Sequence, residues 1–103
     1  MIEINIKPMS VNTAWKGKRF KTDDYKKYEI DLGLLLPKKV EITNTLHLEF
    51  GFSSKLSDLD NPVKPFIDVL QKKYGFNDRD LKNLIIQKEI VKKGEEYIKF
   101  KFI

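Results

Sequence analysis

The sequence contains no cysteine, which excludes a disulfide framework and thiolate chemistry and fits a reducing, cytoplasmic setting. It has one histidine, His47, with no cysteine or second imidazole beside it, so His47 reads as a surface or interface residue rather than a metal ligand. Apolar runs such as Leu34-Leu35-Leu36 fall far short of the roughly 20 residues that a membrane-spanning helix needs. The first seven residues alternate like a strand and lack a signal-peptide core. There is no Gly-rich phosphate loop and no Ser/His/Asp set, which removes P-loop hydrolysis and leaves no nucleotide cofactor expected.

What is present points to a small folded domain. A chain of 103 residues is expected to form one domain spanning residues 1–103. A chain this short buries only about 60–70% of its unfolded surface, so it is expected to fold alone or as a dimer. Hydrophobic residues make up 41%, enough for a core rather than a disordered chain. Twenty Lys plus Arg against fifteen Asp plus Glu give a net charge of +5, which favours polyanionic partners through counterion release. The same balance also serves solubility alone.

Periodicity orders the elements. Ile2, Ile4 and Ile6 alternate with polar residues as a half-buried strand does, and Pro8 ends it. From Met9 to Lys21 there is no periodicity, and Trp15-Lys16-Gly17-Lys18-Arg19-Phe20-Lys21 reads as a mobile loop mixing rings and cations. Thr22 followed by Asp23 and Asp24 predicts a helix start, with Tyr25, Tyr28 and Leu32 on one face and Pro37 as the stop. Val40, Ile42, Leu46, Leu48, Phe50 and Phe52 predict a long strand broken only at Asn44. Asp60 or Asn61 is placed to cap a second helix, with Pro62 in its first turn and Val63, Phe66, Ile67, Leu70 and Tyr74 as its apolar stripe. Gly75 supplies a left-handed stop. Residues 84–91 and 97–103 read as two strands joined in a hairpin through Lys92-Lys93-Gly94-Glu95. The expected architecture is an α+β domain with a mixed four-stranded sheet and two helices.

Chemistry concentrates around the second helix. Asp58 and Asp60 precede it, Lys64 lies one turn inside it, and Asp78 follows it. Two carboxylates spaced by two leave an extended segment on the same side, as ligands of one hard cation require. If the chain after Gly75 folds back, Asp78 joins them, and three carboxylates suit Mg²⁺. The ordinary alternatives are a helix cap for Asp60, a solvated i,i+4 pair with Asp68 for Lys64, and turn or cap roles for Asp78 and Asp80. Lys16, Lys18, Arg19 and Lys21 in the aromatic loop, with Lys55 and Arg79 near the carboxylates, are candidate DNA contacts.

Ser57-Asp58-Leu59-Asp60-Asn61, with Lys64 four residues after Asp60, then a helix, Gly75 and the Asn77-Asp78 turn, resembles the RusA family of Holliday junction resolvases. The resemblance is firmest over residues 55–88, and Met9-Ser10-Val11-Asn12 is similar to the family's Pro-Ser-Asn segment after the first strand. It implies a homodimeric endonuclease, commonly carried by phages and prophages, that nicks opposing strands of four-way junction DNA in recombination and repair. The implied cofactor is Mg²⁺, with Mn²⁺ as a candidate substitute. By position, Asp58, Asp60 and Asp78 look like metal-binding carboxylates and Lys64 like the catalytic lysine.

Three departures from the family pattern stand out, one of them a short connection between Gly75 and the aspartate turn. The family usually has adjacent aspartates in the downstream turn, whereas this chain has Asn77-Asp78-Arg79-Asp80, so Asp80 is the alternative third ligand. Asp78 is favoured because Leu81 then takes the apolar position three residues later. Ser57 stands where a basic residue often precedes the first aspartate, with Lys55 the nearest cation. The competing expectations are a non-catalytic module that binds branched or single-stranded DNA, and a nuclease that prefers flaps or forks.

Overall fold

The computed structural model describes residues 1–17 and 20–103. Its elements in chain order are β1 (Ile2–Ile4), α1 (Val11–Ala14), β2 (Trp15–Lys16), β3 (Phe20–Lys21), α2 (Asp23–Leu35), β4 (Thr45–Phe52), α3 (Val63–Tyr74), a 3₁₀ turn (Asp78–Asp80), β5 (Asn83–Ile90) and β6 (Tyr97–Phe102). The domain is α+β, with a mixed four-stranded sheet ordered β1-β6-β4-β5 and a separate two-stranded ribbon of β2 and β3.

β4 is central because three of its four even positions, Leu46, Leu48 and Phe50, are fully buried. It is shorter than the alternation from Val40 predicts. At Asn44 the backbone carbonyl instead accepts the amides of Lys82 (2.7 Å) and Asn83 (3.1 Å), so the polar break in the pattern is where β5 is tied on. β5 then runs parallel to β4, in register from Thr45↔Asn83 to Phe52↔Ile90, which makes β4-α3-β5 a crossover unit.

The expected hairpin does not form. β6 pairs antiparallel with β4 and with β1, so β4 separates β5 from β6. The turn itself exists, with Glu95 N–H donating to the Lys92 carbonyl at 2.9 Å and Gly94 at φ +94°. Burial decides the pairing: Ile98 and Phe100 of β6 are fully buried and need an interior place, whereas β5 is exposed at nearly every position and takes the edge.

The helices start largely as their sequences predict. The Thr22 hydroxyl accepts the Tyr25 N–H at 3.2 Å, capping α2, and Tyr25, Tyr28 and Leu32 are buried. On α3, Phe66, Ile67 and Leu70 are buried, joined by Pro65 and Val69. Phe66 meets the rings of Phe50 and Phe100 edge-on, at 6.2 and 5.6 Å, and so fixes α3 to the sheet through one core. Gly75, at φ +74°, ends the helix with its N–H on the Gln71 carbonyl at 2.8 Å. The cap is a correction: Pro62 occupies that position without a side-chain cap bond, so neither Asp60 nor Asn61 caps α3.

The stretch expected as a loop contains a third, one-turn helix and the ribbon. Ser10 caps α1 by accepting the Asn12 N–H at 3.2 Å. The edge of Trp15 packs against Tyr25 at 5.6 Å. A four-residue helix and two-residue strands are too short to show a period, which is why the sequence read there as irregular. Lys18 and Arg19 lie outside the described residues.

The far face of the sheet is polar. Lys99 lies 3.5 Å from Glu3 and 3.6 Å from Glu49, and His47 bonds to Gln87, so His47 is a surface side chain paired across strands. Among the described residues no helix is long and apolar enough to cross a membrane.

Candidate functional site

α3 carries one arm of the site. Its apolar stripe faces the core, which leaves Lys64 and Asp68 on the outer face one turn apart. Lys64 Nζ lies 2.8 Å from Asp68 Oδ1 and 3.6 Å from Asp78 Oδ2. The chain after Gly75 therefore does fold back along the helix. It is held there by Gln71, whose Oε1 accepts the Asp78 N–H at 2.8 Å while its Nε2 donates to Asp68 Oδ1 at 3.3 Å. The turn also holds itself: Asn77 Oδ1 accepts the Arg79 N–H at 3.1 Å. Asp80 is exposed at the end of the turn, and it is Asp78 that stands beside Lys64. The hydrogen bond to Asp68 raises the pKa of the Lys64 ammonium above its ordinary value; partial burial opposes this, and the charges of Asp68 and Asp78 add to it.

The other arm is the connection between β4 and α3. Asp58 and Asp60 are both exposed. Asn61 Nδ2 donates to Asp58 Oδ2 at 3.3 Å, Lys88 Nζ donates to the Ser57 carbonyl at 2.9 Å, and the Val11 N–H reaches the Asn61 carbonyl at 2.9 Å. A cleft of about 820 Å³ opens beside this arm, lined among others by Asp58, Ser57, Asn61, Ser10 and Tyr28. Among the described residues the buried Tyr28 hydroxyl has no hydrogen-bond partner, and burial raises its pKa.

As oxygen donors, Asp58, Asp60 and Asp78 suit a hard cation such as Mg²⁺ or Mn²⁺. Among the described residues, however, no three carboxylate or imidazole side chains converge to hold a metal. The donor chemistry fits, and the two arms carry it separately.

Three residues of this region were not singled out as functional by the sequence: Asp68, Gln71 and Glu29. Asp68 was legible only as a salt-bridge partner, although its place between the buried Ile67 and Val69 already implies partial burial. Glu29, on α2, bonds Lys21 Nζ through both oxygens at 3.0 Å and Lys72 Nζ at 2.6 Å. Burial would raise its pKa, but the hydrogen bonds from Lys72 and Lys21 outweigh that and hold it below the usual carboxylate range. Lys21, a candidate DNA contact, is thus engaged with Glu29 and also sits over the Tyr25 ring at 5.4 Å. Lys16, Lys55 and Arg79 are exposed.

In comparison with known proteins, no family model matches the chain, and a search of curated proteins finds no match.

Proposed function

We propose that the protein is a Mg²⁺-dependent endonuclease that nicks four-way DNA junctions, as its resemblance to RusA-family resolvases implies. The observation that carries this reading is the meeting of Lys64 with Asp78, from opposite ends of α3, at 3.6 Å. That juxtaposition is what the reading requires of a chain whose sequence separates the two. A basic protein with a net charge of +5 also suits a polyanionic substrate.

In this reading Asp58, Asp60 and Asp78 hold the cation, which when bound polarises a phosphate oxygen and acidifies a water. Lys64, a compact charge on a flexible stem, stabilises negative charge growing on the phosphate or its leaving oxygen. Water attacks phosphorus, the bond from phosphorus to the 3′ oxygen breaks, and that oxygen takes up a proton. The products are a 5′-phosphate and a 3′-hydroxyl. Paired nicking requires two copies, and a symmetric dimer suits a substrate with near two-fold symmetry.

A specific observation favours a second reading. Lys64 is already hydrogen-bonded to Asp68, and the carboxylates of the two arms do not converge, as in a module that binds branched DNA without cutting it.

Cleavage of a labelled synthetic four-way junction, beside linear duplex and a flap, with Mg²⁺ or EDTA, separates the two. Metal-dependent paired nicks in the junction, lost in Asp60→Asn while binding persists, are expected. Tight, salt-sensitive binding with no cuts under any metal condition would establish the binding module instead. Preferential cutting of the flap would keep the nuclease and change its substrate.

A further inference from the structure

An exposed i,i+4 Lys–Asp pair is usually a solvated contact whose lysine samples many rotamers. Two observations set the pair on α3 apart. The Asp68 side chain is only 23% exposed, against 61% for Lys64, so the carboxylate is a fixed point and the lysine comes to it. Gln71 then joins Asp68 to the backbone of Asp78, and Asp78 returns to Lys64.

The contacts therefore close a ring: Lys64, Asp68, Gln71, Asp78 and back to Lys64. The Gln71 amide has only one workable orientation in it. Flipping that amide would point its oxygen at a carboxylate and its NH₂ at an N–H, losing both bonds.

We propose that Asp68 is a positioning residue, which with Gln71 holds the Lys64 ammonium beside Asp78 so that one carboxylate sets the place of both the cation and the turn. Its consequence for catalysis rests on the nuclease reading above. A lysine ordered before substrate arrives need not be ordered during the reaction, which is how a residue that never touches DNA affects the rate.

The test separates this claim from that reading. Lysine ammonium groups are observed by ¹H–¹⁵N NMR in wild type and Asp68→Asn, with Lys64 assigned by its disappearance in Lys64→Arg. In wild type the Lys64 ammonium is expected to be ordered, and in Asp68→Asn that order is lost. Lys72, held by Glu29 at 2.6 Å, stays ordered as the internal control. An equally ordered Lys64 in the variant overturns the proposal, as does a variant whose main defect is weakened Mg²⁺ binding, because Asp68 would then be a ligand.

On junction DNA, Asp68→Asn is expected to lower kcat about 10- to 100-fold with junction affinity unchanged. Unchanged kcat in an active enzyme overturns the proposal. If wild type cuts no DNA, the nuclease reading fails and the ammonium signal alone decides. Should Asp68→Asn not fold, Gln71→Ala tests the same ring: the Asp78 amide is expected to lose its hydrogen-exchange protection, and retained protection overturns the proposal.

Discussion

Lys64, Asp68 and Asp78 sit in a braced ring on α3, whereas Asp58 and Asp60 ride on the exposed connection that leads into the same helix. The difference begins with what lies beneath each. Asp68 is flanked by Ile67 and Val69, both buried, and lies two residues after the fully buried Phe66. Leu56 on the connection is 91% exposed; its backbone turns on Ser54, and bonds from Lys88 and Val11 tie the segment to the rest of the domain. Charge follows the same division. Carboxylates gathered without a cation repel one another and resist ionisation. The helix arm carries its own cation in Lys64, and the loop arm keeps its two carboxylates in water. In the proposed nuclease, a site divided this way would avoid most of that repulsion until a divalent ion drew the arms together.

The comparison breaks most plainly on stability. Phe66→Ala removes the ring wedged between Phe50 and Phe100, and is expected to destabilise the fold by about 3–5 kcal/mol. Leu56→Ala, on the other arm, should change stability by no more than about 0.5 kcal/mol. Urea denaturation measures both. A Leu56→Ala cost comparable to that of Phe66→Ala would mean that the loop arm is part of the core.

A smaller effect sharpens the same contrast. Glu29 ties α2 to α3 behind the helix arm, its side chain 15% exposed and its partners Lys21 and Lys72 at 29% and 61%. Because its folded pKa is lowered, its contribution is complete above the unfolded value of about 4.3. It disappears as pH falls through the lower folded value. With solvent screening at the exposed Lys72, Glu29→Gln should cost about 1 kcal/mol at pH 7. That gap should close as pH falls below the ordinary carboxylate range and through the lowered folded value. A gap that persists in acid would assign the loss to shape rather than charge.

Much of this was legible in the sequence, and the exceptions share a cause. Strict alternation marked Leu46, Leu48 and Phe50, and helical spacing marked Phe66, Ile67 and Leu70, because burial repeats over many residues. Thr22 and Gly75 were readable because capping is local chemistry. The order of β5 and β6 was not: a Gly94 turn serves a hairpin or a crossing equally well, and only the competition for the interior edge of β4 decides. The candidate site divides in the same way. Asp58, Asp60 and Lys64 stand out by spacing, but the ring through Gln71 depends on where the chain after Gly75 returns, and no local pattern encodes that. Asp68 was visible only as the partner that would make Lys64 ordinary.

The smallest expected effect bears most directly on the two arms. Amide hydrogen exchange should find Asp78 protected before any metal is added, since its N–H is held by Gln71 at 2.8 Å. The amides of residues 58–60 should exchange faster. With Mg²⁺ at about ten times its dissociation constant, exchange through the metal-free state slows roughly tenfold. If the cation gathers the loop onto a prepared helix arm, the slowing is concentrated at residues 58–60, where exchange was fast, and Asp78 changes less. Equal slowing at both arms would mean that the ring on α3 is as loose as the loop until metal arrives, and the contrast between them would fail. No slowing at either would remove Mg²⁺ from the site and leave the exposed aspartates as polar loop residues.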